Sequence, residues 1–280
     1  MAGTFGRRPA RNAPKRAGFL IEGEAGMKRL GGLVLIAGAL LGLSSGAQAQ
    51  MGTVRLDNWF YYQENYGDSA RWQYRPRVFI PFAFGDGWTF TQRIDVPFYY
   101  TDAPGPANSD GDWKFRISDA LIEEILDTPD VAKNLRLRAS VRLVFPTGGE
   151  PPFGSDQWQV APGFGANWRL PDLWKGVSVI PYVRYFYGFD AGSPNVTTVR
   201  KWNFFPELLI NLSETWAIDF YPEQGISYND RVDKWFVPIE AMFVNRVSKT
   251  FHYSVGGAYA IVNDDPSYRW LIQARFTFFF

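Results

Sequence analysis

From Gln50 to Phe280 apolar and polar residues alternate with a period of two, the pattern of strands whose two faces meet different surroundings. In the last segment Trp270, Ile272, Ala274, Phe276, Phe278 and Phe280 fall on one face, and Arg269, Gln273, Arg275 and Thr277 on the other. Leu135, Leu137, Ala139, Val141, Leu143 and Phe145 alternate with Arg136, Arg138, Ser140 and Arg142. Trp158, Val160, Pro162, Phe164, Ala166 and Trp168 repeat the pattern, as do Trp235, Val237, Ile239, Ala241 and Phe243. The apolar face begins or ends in an aromatic residue, and the opposite face mixes arginine with small residues. Lipid on one side and a narrow lumen on the other would require both.

Twelve such segments are predicted, centred near residues 58, 77, 93, 117, 139, 163, 181, 205, 219, 240, 256 and 273. A spacing of about 19 residues per strand and connection suits membrane-crossing strands of roughly 9–11 residues. The odd-numbered connections, such as "DAPGPANSDG", "PTGGEPPFGSD", "DAGSPNVTT" and "QGISYND", are mostly long and rich in Gly, Pro, Asp and Ser, and the even-numbered ones are mostly short. Outer-membrane barrels have long outer loops, short periplasmic turns and, for an even strand count, both termini in the periplasm. The predicted fold class is therefore all-β, a transmembrane up-and-down antiparallel β-barrel of about twelve strands, with ten or fourteen as the next counts. Pro76, Pro81, Pro97, Pro162, Pro181, Pro206 and Pro238 fall inside these segments and weaken each locally, because proline cannot donate to a ladder. A break in parity at Ser118–Asp119 predicts a bulge there.

Residues 27–49 sharpen the location. Lys28 and Arg29 precede an apolar run from Gly31 to Leu43, followed by small residues ending in Ala47-Gln48-Ala49. This is the order of a secretory signal peptide, with cleavage predicted after Ala49. The run is about 13 residues, too short for a spanning helix of roughly 20. Residues 1–26 then form an upstream extension, and residues 50–280 the barrel. The predicted location is the outer membrane of a Gram-negative bacterium.

Composition removes several function classes. The chain has no cysteine, so disulfides, thiolate metal sites and a cysteine nucleophile are excluded. Residues 1–49 carry seven Lys+Arg and two acids; taking these from the chain totals of 29 and 28 leaves 22 basic and 26 acidic residues in the barrel. That balance is not a nucleic-acid binder's. No metal-ligand spacing and no phosphate-binding glycine loop is present, so neither metal nor cofactor is predicted.

Parity sends Arg75, Arg77, Arg93, Arg136, Arg138, Arg142, Arg184, Arg269 and Arg275 into the lumen, together with Asp95, Glu207, Asp219 and Glu240. Two uses compete for such a set. Paired charges can fill a narrow lumen as a lattice, giving a plugged structural or adhesion barrel, or they can line the pathway of a passive channel for small solutes, the reading preferred here, with anions or polarised solutes favoured by the excess of arginine. The expected partners are outer-membrane lipid and a small-molecule solute, with the oligomeric state left open.

An enzyme is the alternative from another class. The one histidine, His252, stands two residues before Ser254, so the two share a strand face, and Asp264 and Asp265 follow in the next connection. Such a nucleophile would need that base, oriented by a third group. The His-x-Ser spacing resembles that of a lipid A deacylase family, but that family's Asn after the serine is Val255 here, and the Ser-Asn-Gly of outer-membrane phospholipases is missing.

Two further stretches, "RPRVFIPFAFGDGWTFTQRIDVPF" and "RLVFPTGGEPPFGSDQWQVAPGFGANWRLP", resemble the outer-membrane family known as MetA-pathway of phenol degradation. The shared features are the hairpin Pro81 to Gly85, Arg93 with Pro97, Pro146-Thr147-Gly148, and then Gly154, Gln157 and Pro162; Asp110-Gly111-Asp112 matches only in part. The resemblance implies a barrel that takes up aromatic or other apolar small molecules. Finally, Phe276, Phe278 and Phe280 resemble the C-terminal signal read by the barrel-assembly machinery, an expected partner.

Overall fold

The computed structural model describes residues 50–280 except 66, 194, 195 and 266. The predicted extension, signal peptide and cleavage after Ala49 lie outside the described residues. Twelve antiparallel strands close on themselves: β1 (Arg55–Glu64), β2 (Ala70–Phe84), β3 in two pieces (Trp88–Asp95 and Phe98–Thr101), β4 in two pieces (Lys114–Ile117 and Leu121–Asp127), β5 (Leu135–Val144) and β6 (Gln157–Leu170). They continue as β7 (Val177–Ala191), β8 (Arg200–Asn211), β9 in two pieces (Trp216–Phe220 and Ile226–Asn229), β10 (Lys234–Arg246), β11 (Phe251–Asn263) and β12 (Trp270–Phe279). β12 returns to β1 in register from Trp270 opposite Glu64 to Phe279 opposite Arg55. This closure pairs the first strand with the last, as lipid requires of a sheet that spans it. Phe280 completes the seam, exchanging backbone bonds with Val54.

The outer wall is apolar and banded. Phe164, Val141, Ile239, Phe243, Tyr259 and Ile272 are exposed on it. Toward the end holding the long loops, Tyr62 lies near Trp72 and Trp270, Tyr100 near Trp113, and Tyr185 near Trp202. At the other end Phe84 lies near Trp88, Phe251 near Phe278, and Trp216 near Tyr253. From Trp270 to Phe278 is about 27 Å of strand, which after tilting spans most of a roughly 25-Å apolar band. Side chains of this polarity, in two aromatic girdles, belong in a membrane.

Three interruptions depart from the regular wall. β3 breaks at Val96–Pro97 and β4 at residues 118–120, side by side, since Asp95 pairs with Leu121 below and Phe98 with Ile117 above. The predicted bulge at Ser118–Asp119 is thus a full break. Its cause is local: Pro97 has no donor, and the Asp119 carboxylate accepts from Gly148 N, Ser155 N and Ser155 Oγ instead of following the strand. The upper piece of β4 has no partner in β5. Residues 145–156 fill that place, with Ser118 Oγ donating to Phe153 O and Ala120 N to Thr147 Oγ1.

The third interruption, residues 221–225, bends inward from β9. The predicted connection "QGISYND" is corrected accordingly: Ile226–Asn229 is strand, paired with β8 and β10. Pro206 of β8 faces this gap, where a missing donor costs nothing in the ladder. Apart from Pro97 at the break of β3, the other strand prolines sit within continuous strands, with Pro238 at a register shift and Pro181 opposite Pro206.

Candidate functional site in the barrel lumen

The inward-facing side chains form a connected set rather than separate charges. On β2 and β3, Arg77 Nε donates to both Asp95 oxygens at 3.1 and 2.9 Å, and Arg93 donates to the same carboxylate at 2.8 and 2.7 Å. Arg93 also reaches Glu123 of β4 at 3.2 Å. Glu123 in turn accepts from Arg142 of β5 at 2.7 Å, from Ser140 Oγ at 2.8 Å and from Arg184 of β7. Asp95 and Glu123 are essentially shielded from solvent, so each is matched by more than one cation, as a desolvated carboxylate requires.

Tyr182 of β7 leans across β6 to touch Ser140 Oγ at 2.5 Å, and Arg184 donates to its hydroxyl at 3.1 Å. That path lies over Gly165 and Gly163, where a Cβ would come within 2.6 Å of the tyrosine ring and 1.9 Å of its hydroxyl, respectively. Glycine on the inner face of β6 therefore allows the reach from β7 to β4.

The inward bend of β9 carries Glu223 to the opposite wall. Its carboxylate accepts two bonds from Arg77, both at 2.9 Å, and pairs with Arg75. The bend is fixed from behind by Glu240 of β10, whose Oε2 accepts from Glu223 N at 3.1 Å and Gln224 N at 2.7 Å. Gln273 of β12 donates to the other oxygen of Glu240. Ion pairs and this bend thus cross the lumen from β10 through β2 to β7.

The remaining predicted lumen residues lie outside this lattice. Arg138 pairs with Asp127 at 2.7 Å, and Arg136 with Asp130 in the β4–β5 turn, partly exposed at the mouth. Arg136 donates to Asp130 in that turn, which with Arg169 holds the Asp130 carboxyl below the usual range. Arg269 is half exposed at the opposite rim, 3.5 Å from Glu64. Arg275 donates to Ser254 Oγ at 3.0 Å and stands 4.9 Å from the Trp59 ring centre. Glu207 and Asp219 share a lower stretch of the lumen with Arg138 and Arg275. His252 is not hydrogen-bonded to Ser254: its ring packs edge-on against Phe279, 4.8 Å between centroids. Asp264 and Asp265 sit at the far end of β11 from it. The geometry does not assemble the candidate hydrolase triad.

Several lumen residues escaped sequence reasoning. Glu123, the hub of the lattice, lies in "ALIEEIL", where two adjacent acids obscure parity and the break at residues 118–120 resets it. Glu223 sits in what reads as a connection. Trp59 and Tyr61 are fully buried and stacked 5.5 Å apart, and with Met242, Phe236, Tyr268 and Leu271 they pack the inner side of β1 and β10–β12. Their signal was available: Asp57 and Gln63 share their parity in β1. Beside the lattice, toward the long loops, lies a partly open cavity of about 380 Å³ between β2–β5, Phe186 of β7 and residues 152–155.

No protein-family model matches the chain, and no curated protein is similar to it in sequence. Solved structures are similar in fold. The COG4313 outer membrane channel from Pseudomonas putida F1 aligns with a TM-score of 0.63 at 12% identity, covering 85% of this chain and 98% of that one. The β domain of the Bordetella autotransporter BrkA aligns with a TM-score of 0.44 at 12% identity, over 81% of this chain and 98% of that one. At 12% identity the likeness to the channel is one of fold: an outer-membrane-type β-barrel.

Proposed function

We propose that this chain is a passive outer-membrane channel for small solutes, aromatic compounds among them, with the arginines of the lumen as its pathway. The observation that carries the reading is the interior itself. Among the described residues, side chains and one inward bend narrow the lumen, and a cavity of about 380 Å³ adjoins the narrowing. Charged rings at a constriction are how channels select solutes. The fold shared with an outer membrane channel and the resemblance of the turn motifs to the phenol-degradation family support the same reading.

A second reading, a structural barrel with a plugged lumen, is favoured by the packing of Trp59, Tyr61 and Met242 on one side and the ion-pair lattice on the other. One experiment separates the two. Purified barrel in a planar bilayer should give discrete conductance steps in potassium chloride, and proteoliposomes should swell in small solutes. No conductance and no swelling would leave the plugged barrel standing.

A further inference from the structure

We infer that the cavity beside the lattice is a binding site for an aromatic carboxylate, with Arg71 as its anion receptor; the inference rests on the channel reading and names the solute class. The lining acids are already spent. Asp95 is held by Arg77 and Arg93, and Asp119 by two backbone amides and the Ser155 hydroxyl. Two of the lining arginines are matched as well, Arg75 by Glu223 and Arg142 by Glu123. Arg71 differs. Among the described residues no carboxylate pairs with it, and its one hydrogen bond goes from Nη2 to Pro152 O at 3.2 Å. Its Nε is buried without a partner, a condition native structures rarely leave unexplained. A guanidinium in this state offers a planar fork suited to a carboxylate.

The walls suit a ring. Tyr99 lies under Arg71, with the guanidinium carbon 4.3 Å from its ring centre, which holds the cation in place and presents an aromatic surface beside it. Phe153 and Phe186 line the same space. The volume of about 380 Å³ is near the lower limit of the roughly 300–1,000 Å³ typical of small-molecule sites. It suits one ring with a charged substituent. A neutral hydrocarbon would leave Arg71 unmatched, and a small aliphatic acid would leave the aromatic walls uncovered.

The test is calorimetric titration of the detergent-solubilised, heat-modifiable barrel with benzoate, benzyl alcohol and acetate. Benzoate should bind about tenfold or more tightly than either of the others, since each lacks one of the two interactions. Arg71→Gln should weaken benzoate by about tenfold and leave benzyl alcohol unaffected, while Arg71→Lys should recover part of the loss. Equal binding of benzoate and benzyl alcohol, or benzoate affinity unchanged in Arg71→Gln, overturns the assignment. If Arg71→Gln does not fold, Tyr99→Leu decides: benzoate should weaken several-fold and acetate should not, and unchanged benzoate binding overturns it. Because binding is measured without a membrane, failure of the channel reading shows separately, as absent bilayer conductance.

Discussion

Glu123→Gln is the most informative perturbation of the lattice. The glutamate is about 1% exposed and receives Arg93, Arg142 and Arg184. Arg93 keeps Asp95 after the change, but Arg142 and Arg184 have no other carboxylate among the described residues. Removing one partner of a buried ion pair costs about 3–5 kcal/mol, because the stranded charge stays desolvated. The glutamine oxygen still accepts one bond, which places the expected loss near the lower limit, about 3 kcal/mol. With a urea dependence of about 2–3 kcal/mol per molar, the unfolding midpoint should fall by roughly 1–1.5 M. The assay is urea titration of the barrel in lipid vesicles, followed by tryptophan fluorescence and by heat-modifiable gel migration. Glu124→Gln is the matched control, since Glu124 holds only a 3.0 Å bond from Gln92, and it should change stability by no more than about 0.5 kcal/mol. Adding Arg184→Gln to Glu123→Gln should return roughly 1–2 kcal/mol, because one stranded charge is then gone. A midpoint for Glu123→Gln equal to that of Glu124→Gln would refute the idea that three guanidinium groups depend on this carboxylate.

Other substitutions test the remaining parts. Glu223→Gln leaves Arg75 without its carboxylate while the bend stays fixed by Glu240, so the reversal potential in a salt gradient should move toward anion selectivity; an unchanged potential would place Glu223 outside the pathway. Gly154→Ala sets a methyl group 2.5 Å from Asp119 Oδ1 and should cost about 1–3 kcal/mol, read as faster proteolytic nicking within residues 145–156. Phe280→Ser, in the seam beside Val54, should lower the amount of folded barrel in the outer membrane, with soluble periplasmic material rising; normal yield counts against an assembly role for the aromatic end. Ser254→Ala removes a hydroxyl that accepts from Arg275 and should leave phospholipid and lipopolysaccharide intact before and after the change; turnover that disappears with the hydroxyl would instead establish a hydrolase.

The wall of this barrel was legible because lipid imposes one rule on every strand. Alternation in 135–145, 158–168 and 235–243 survives into the structure face by face, since a one-residue slip would put arginine into hydrocarbon. Strand number and phase followed from the same rule, as the turns must return each strand to the opposite interface. The interior obeys no such rule. A lumen position accepts arginine, tryptophan or glutamate equally well provided something across the barrel completes it, and what lies across is set by closure, not by spacing in the chain. Arg184 and Glu123 meet from strands separated by two others, with Gly163 opposite Arg184 in the intervening strand β6. Glu223 meets Arg75 only because the chain leaves the sheet at residues 221–225. The turn-like composition of "YPEQG" therefore marks an inward bend, and nothing local tells it from an outer loop. The discriminating feature is long-range: Pro206 in the neighbouring strand lacks a donor, and it faces the place where β9 has no need of one. Pro97, at the break of β3 beside that of β4, likewise stands where the ladder is interrupted.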